Sequence, residues 1–285
     1  MQRRDKKGGY RGGSPSYRGA KEGEVRAKKA LGQHFLTDLN IAQKIADSIT
    51  GGTPESPDTV LEVGCGMGVL TQFLLQREDI VTYGAEIDRE SVEYLHKHYP
   101  DFTPRLIEGD FLKMDLRERF PDGLKVIGNF PYNISSQIFF KVVENRDLVP
   151  ECSGMIQREV AVRMAEPPGS KEYGVLSVLL QAWYDIEYLF TVNESVFNPP
   201  PKVKSAVIRM VRNSTMALDC DEKLFVKVVK AGFGQRRKML RNAIKSVFGD
   251  FGGAEHPFFE LRAERLSVAD FVELTRWVDD NMQRE

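Results

Sequence analysis

Val60-Leu-Glu-Val-Gly-Cys-Gly-Met-Gly68 decides the fold, because a short apolar strand runs straight into three glycines at alternate positions. Strands buried on both faces read as near-continuous apolar runs. Glycines at such a turn let the backbone bend tightly and come close to a bound ligand. The dinucleotide fingerprint requires G-x-G-x-x-G. Here Val69 stands at its third glycine position and Gly68 comes one residue early. The spacing therefore points away from a pyrophosphate ligand and toward a nucleoside without one.

Working outward, residues 80–86 read as a second strand and residues 91–98 as a helix, with residues 105–108 and 125–127 continuing the series. Strand and helix in alternation predict an α/β fold with a parallel, doubly wound sheet. Beyond residue 151 the pattern predicts helices over 157–165 and 173–183, then strands over 186–192 and 206–211 forming an antiparallel edge. Helical periodicity returns over 219–248 and 267–282, where Leu224, Val228 and Ala231 share one face and Leu240, Ile244 and Val247 another. The expected organisation is a basic tail over 1–27, a sheet domain over 28–213 and a small helical domain over 214–285.

A formal charge of −1, from 40 Lys plus Arg against 41 Asp plus Glu in 285 residues, conceals strong polarity. Residues 1–29 carry ten basic and three acidic side chains, residues 202–245 carry twelve and three, and the remainder carries 18 and 35. The tail is too poor in aliphatic residues to offset its ordering entropy, so it reads as disordered. Three widely spaced cysteines with no Cys-x-x-Cys pair argue against a disulfide framework or a zinc site and for a reducing cytoplasm. No apolar run reaches the ~20 residues that span a bilayer, and the N-terminus has no apolar segment of a secretory signal. Neither a membrane nor a metal is expected.

Candidate site residues fall at successive strand ends, where open α/β sheets bind ligands. Gly64 opens the glycine turn. Glu86 ends the second strand and suits both ribose hydroxyls. Asp110 ends the third strand and suits an adenine amino group. After the fourth strand comes Gly128-Asn-Phe-Pro-Tyr-Asn-Ile-Ser135. Its Asn-x-Pro-Tyr suits transfer to an exocyclic amine, whose lone pair is delocalised into the ring and therefore a poor nucleophile. With the Asn129 side-chain oxygen and the Phe130 carbonyl accepting its two N–H bonds, the lone pair is freed, a preorganised contribution of roughly 3 kcal/mol per group. Pro131 stiffens the turn, and Tyr132 offers a ring for purine stacking worth ~1–3 kcal/mol. Packing of the aromatic turn into the core is the bland alternative.

In order along the chain stand Lys28-Lys-Ala-Leu-Gly-Gln-His-Phe-Leu-Thr-Asp38, the glycine turn, Glu86-Ile-Asp88, Glu108-Gly-Asp110, Asn129-Phe-Pro-Tyr132, Phe197-Asn-Pro-Pro-Pro-Lys-Val203 and Gly234-Gln-Arg-Arg-Lys238. Together they resemble the ribosomal RNA adenine N6,N6-dimethyltransferase family, in its bacterial small-subunit (16S) branch, over about residues 28–280. The resemblance implies a Rossmann-like methyltransferase sheet, S-adenosyl-L-methionine as donor, and two adjacent adenosines near the 3′ end of small-subunit rRNA as acceptors. It assigns cofactor contacts to His34, Leu36, Gly64, Glu86, Asp110 and Asn129, and places Phe197 across the target base from Tyr132. Two residues depart from the usual pattern: many members carry Asn where His34 stands and Pro where Cys65 stands.

Arg237, Arg241 and Lys245 are spaced to share a helix face, and Lys223, Lys227 and Lys230 form a second stripe. With Arg236, and with Lys202 and Lys204 beside the Pro-rich loop, they form the expected RNA surface. The partner implied is small-subunit rRNA within an immature 30S subunit, met by a monomer. Competing readings are the large-subunit rRNA methyltransferase branch that confers macrolide resistance, an amide or DNA-adenine methyltransferase, and a mainly non-catalytic assembly factor.

Overall fold

The computed structural model describes residues 25–282. The basic tail expected over 1–27 lies outside the described residues apart from its last three positions.

Among the described residues, nine strands and ten α-helices follow in the order β1 (Phe35–Leu36), α1 (Leu39–Ala46), β2 (Asp58–Val63), α2 (Thr71–Leu74), β3 (Ile80–Glu86), α3 (Arg89–His98), β4 (Leu106–Glu108), α4 (Leu116–Arg119), β5 (Lys125–Asn129), α5 (Ser135–Glu144), β6 (Glu151–Gln157), α6 (Arg158–Ala165), α7 (Val175–Gln181), β7 (Tyr184–Val192), β8 (Phe197–Asn198), β9 (Ser205–Arg212), α8 (Glu222–Gly234), α9 (Leu240–Phe248) and α10 (Val268–Met282). Seven strands form one sheet in the order β4-β3-β2-β5-β6-β9-β7. The five from β4 to β6 run parallel, whereas β9 pairs antiparallel with both β6 and β7. The late antiparallel edge expected from the sequence is therefore present.

Apolar content explains the centre of this sheet. Val60, Leu61 and Val63 of β2 and Val126 and Ile127 of β5 are all buried, as parallel strands covered on both faces require. Local chemistry sets several helix starts. The Asp38 carboxylate accepts from the N–H groups of Asn40 and Ile41 to begin α1, and Asp221 caps α8 through the Leu224 N–H. At α10, Ser267 and Asp270 bond reciprocally in a capping box.

Four expectations change. Strand β6 escapes sequence reading because Glu151, Ser153 and Gly154 interrupt its apolar pattern, yet all its residues from Glu151 to Ile156 are buried. Polar partners make that possible: Glu151 accepts from Thr50 and Arg209, and the Ser153 hydroxyl donates to the Ile208 carbonyl. The helical stretch expected over 219–248 is two helices, because the chain leaves helical geometry at Gln235 (φ −123°, ψ 56°). Arg237 consequently lies in the connection, outside the helix that carries Arg241 and Lys245. Val247 is 58% exposed and does not join Leu240 and Ile244 in the core.

Helix α8 packs against α7, and α9 and α10 pack on α8. Tyr173 meets Phe233 and Trp183 meets Phe225 at ring separations of 6.2 Å, so one apolar core runs from the sheet into the helices. Among the described residues no helix is long and apolar enough to cross a membrane.

Candidate active site

A single cleft at the carboxyl ends of β2, β3, β4 and β5 gathers His34, Leu36, Gly64, Glu86, Asp110, Asn129, Phe130, Pro131 and Tyr132 in its walls. Gly64, Gly66 and Gly68 all adopt positive φ, at 79°, 54° and 79°, which bends the chain sharply out of β2. This turn is locked to β3 by one carboxylate. Glu86, 4% exposed, accepts from the Gly66 N–H on one oxygen and the Asp88 N–H on the other, both at 2.8 Å. Burial raises its pKa, and these two donors oppose the rise. Each oxygen keeps a lone pair for a further donor.

Beneath the turn lies Glu62, 1% exposed, with the Thr71 hydroxyl donating to it at 2.6 Å. Burial pushes its carboxyl up from 4.5 to about 7, against the Thr71 bond. The folded chain then holds this proton where the unfolded chain releases it, so the contribution to stability is fully present below pH 4.5 and is lost as the pH rises to about 7. Glu62→Gln keeps an acceptor for Thr71 without the titration. Its melting temperature relative to the parent is expected to be higher at pH 8 than at pH 5; a pH-independent difference would exclude the effect.

The end of the cleft beyond β4 is simpler. Asp110 accepts the Leu112 N–H at 2.9 Å, which leaves its second oxygen near the cleft with Lys113 4.0 Å away. Ile87, which no sequence motif marks, also lines this wall. A 55%-exposed isoleucine between two buried acids, Glu86 and Asp88, is the signal that identifies it.

The Asn-Phe-Pro-Tyr turn is seated by two glycines. Gly128 of β5 pairs directly with Gly154 of β6, and the Phe130 ring fills the slot between them. A Cβ on Gly154 would lie 2.6 Å from that ring, and one on Gly128 would lie 3.0 Å from it. The Phe130 N–H donates to the Met155 carbonyl at 3.0 Å. Asn129 Nδ2 donates to the His34 carbonyl at 3.2 Å, and no described residue donates to its Oδ1. The Tyr132 hydroxyl bonds Ser205, burial pushes its phenol pKa up, and the His34 imidazole stacks on its ring at 5.3 Å.

A strap closes the cleft from the N-terminal side. Lys28 pairs with Asp88 and Glu90, Asn133 Nδ2 donates to the Ala30 carbonyl at 3.3 Å, and Leu31 to Leu36 then line the wall. Strand β1 is fixed by antiparallel pairing with β8, Leu36 opposite Phe197.

The other expected site residues lie elsewhere. Phe197 is 4% exposed and packs in the core cluster that contains Leu36, Val192 and Val207, not in the cleft wall. Lys202, Lys204 and Arg237 are exposed. Arg236 donates to the Lys171 and Tyr173 carbonyls and clasps that loop. Arg241 is held by Glu255 and Glu260, and Lys245 by Asp250 and Glu255, so neither is an unpaired cation. Among the described residues no cluster of His, Cys, Asp and Glu is arranged to hold a metal.

The chain is similar to known proteins along most of its length. The family model described as ribosomal RNA adenine dimethylase matches residues 24–279. The "Ribosomal RNA small subunit methyltransferase A" of Parabacteroides distasonis is 58% identical over 262 residues, covering 92% of this chain and 97% of the relative. That of Bacteroides thetaiotaomicron is also 58% identical, covering 91% and 96%. A dimethyladenosine transferase from Plasmodium falciparum superposes with a TM-score of 0.71 at 26% identity, over 87% of this chain and 98% of that one. The fold also matches the 23S rRNA methyltransferase ErmE, with a TM-score of 0.61 at 23% identity, over 84% and 98%. A match of this extent means that the chain belongs to the ribosomal RNA adenine dimethylase family.

Proposed function

We propose that this protein transfers methyl groups from S-adenosylmethionine to N6 of two adjacent adenosines in the 3′-terminal hairpin loop of 16S rRNA, giving N6,N6-dimethyladenosine. The observation that carries the reading is the Asn129 side chain: its amide nitrogen is committed to His34 while its oxygen has no donor from the described chain. An acceptor fixed at a cleft edge is what an exocyclic amine needs. The cofactor fits the residues present: Gly109 has open space where a Cβ would stand, and three carboxylates, Glu62, Glu86 and Asp110, line a wall that is otherwise largely apolar.

When bound, S-adenosylmethionine supplies a methyl group on a cationic sulfur. Glu86 holds the ribose, Asp110 the adenine amine, and His34, Leu36, Gly64 and Asn129 complete the cofactor contacts. Asn129 Oδ1 and the Phe130 carbonyl take the two N–H bonds of the acceptor amine, and Pro131 holds the turn rigid while Tyr132 stacks the base. Phe197 supports this wall from behind through Leu36. The base leaves its stack to reach the cleft, and alignment carries much of the rate.

The RNA surface in this reading combines Lys202 and Lys204 with Arg236, Arg237, Arg241 and Lys245 across a methyltransferase domain over 28–213 and a helical domain over 214–285. The protein works as a cytoplasmic monomer on immature 30S subunits. Substituting Lys202, Lys204 and Arg237 together with Ala is expected to weaken RNA binding and to reduce the slope of log K against log salt by about 0.7–0.9 per lost phosphate contact; an unchanged slope would exclude these contacts. The reading itself is tested by supplying labelled S-adenosylmethionine with undermethylated small subunits, large subunits or naked rRNA and mapping the label. Label on the two small-subunit adenosines is expected. Label on large-subunit adenine, or none, would overturn the reading.

A further inference from the structure

We propose that His34 is a positioning residue for methyl transfer, acting on the acceptor side of the cleft through Asn129 and Tyr132. The proposal rests on the function proposed above and goes beyond a cofactor contact. Three bonds of one residue carry it. The His34 main-chain carbonyl receives Asn129 Nδ2 at 3.2 Å. Its ring stacks on Tyr132 at a centroid separation of 5.3 Å and an interplanar angle of 29°. Its Nδ1 lies 2.8 Å from the Pro199 carbonyl oxygen, and a carbonyl can only accept, so Nδ1 carries the proton.

These bonds make a chain of dependence. An amide has a donor end and an acceptor end, so committing Nδ2 to a fixed carbonyl also fixes the direction of Oδ1. That carbonyl is only as fixed as the backbone of residue 34. On its C-terminal side Phe35 and Leu36 are held in β1 by β8. On its N-terminal side the chain reverses at Gly32, with φ 64°, and Gln33 is tied back to Lys28, bonds that hold the strap without reaching residue 34 itself. The imidazole bond to Pro199 supplies the missing anchor. Tyr132 is held in the same way from two sides, by the His34 ring on one face and by Ser205 at its hydroxyl. His34 thus joins the strap, the aromatic turn and the loop after β8 at one point.

Three variants separate this role from cofactor contact. His34→Asn keeps a donor for Pro199 and removes the ring; His34→Phe keeps a stacking ring and removes the donor; His34→Ala removes both. With cofactor and small subunits both saturating, kcat is expected to fall about tenfold in Phe and Ala, the loss of one positioned hydrogen bond, and to return to within about threefold of the parent in Asn. Calorimetric affinity for S-adenosylmethionine, to which His34 also contributes, is expected to weaken in Phe and Ala, and the kcat loss is expected to persist once the cofactor is saturating. Unchanged kcat with weakened cofactor affinity would overturn the proposal in favour of a cofactor contact alone. A second readout does not need activity. The Asn129 side-chain amide resonance, identified by its absence in Asn129→Ala, is expected to lose its hydrogen-bonded shift in Phe and Ala and to regain it in Asn. A resonance unmoved in all three would overturn the proposal even if the parent enzyme labelled no adenosine, a result that by itself would refute only the proposed function.

Discussion

Asn129→Ala is expected to lower kcat about 10²- to 10³-fold, the loss seen when one preorganised hydrogen-bonding group is removed from a developing charge. The planar amine of adenine attacks only after its lone pair leaves conjugation with the ring. An acceptor at the N–H stabilises the pyramidal nitrogen more than the planar one, so the interaction is realised in the transition state and appears in kcat. The structure explains why no neighbour can substitute. Asn129 is the last residue of β5, its amide is turned by the His34 carbonyl, and the next residue is fixed in its glycine slot. Single-turnover measurements at saturating cofactor are the check. A kcat within tenfold of the parent would remove Asn129 from the chemistry. Asn129→Asp is a useful companion, because it restores an acceptor but sets a carboxylate against the His34 carbonyl, so it is expected to recover little.

The second large effect is structural in origin and catalytic in outcome. Gly154→Val is expected to destabilise the fold by about 3 kcal/mol, at the upper end of ordinary overpacking, and to lower kcat beyond what the lost folded fraction explains. A Cβ at this position would stand 2.3 Å from the Gly128 carbonyl oxygen and 2.6 Å from the Phe130 ring. Relief by moving the backbone is expensive, since β6 is held by β5 on one side and β9 on the other. The ring must leave its slot and the Gly128 peptide must shift as well, and the turn carrying Asn129 moves with them. Urea denaturation gives the first quantity and active-site-normalised turnover the second. Gly154→Ala adds only the Cβ and is expected to fall between Val and the parent. If the Val variant folds with parental stability and turnover, the slot does not seat the turn.

Legibility in the sequence followed how local each signal was. The glycine turn is legible because Val60, Leu61 and Val63 are apolar for one reason, burial on both faces, and the glycines beyond them need positive φ. Glu86 and Asn129 are legible because each ends a strand of the same sheet, and Asp110 because it stands two residues beyond the end of another. The strand β6 is not, because its buried Glu151 and Ser153 are satisfied by Thr50, Arg209 and Ile208, which are distant in sequence. The same reason hid the roles of the basic residues. Spacing along a helix says which side chains are neighbours, whereas Arg241 and Lys245 are claimed by Glu255, Glu260 and Asp250 from the following loop. Phe197 shows a third kind of limit. Its motif is unmistakable, but whether an aromatic ring faces a cleft or a core is decided by strand pairing, here β8 with β1.

That pairing also sets the order in which the protein can be finished. The bond between His34 and Pro199 joins residues 165 apart, and β9, needed to cover β6, comes later still. At translation rates of about 5–20 residues per second, roughly ten to thirty seconds separate the synthesis of the strap from that of its partner. A nascent chain can assemble the parallel strands early and locally, yet the acceptor wall is closed only by distant contacts of the kind that make folding slow. The cleft, walled mostly by strands made early, is complete only once β8 has been synthesised and holds the strap in place.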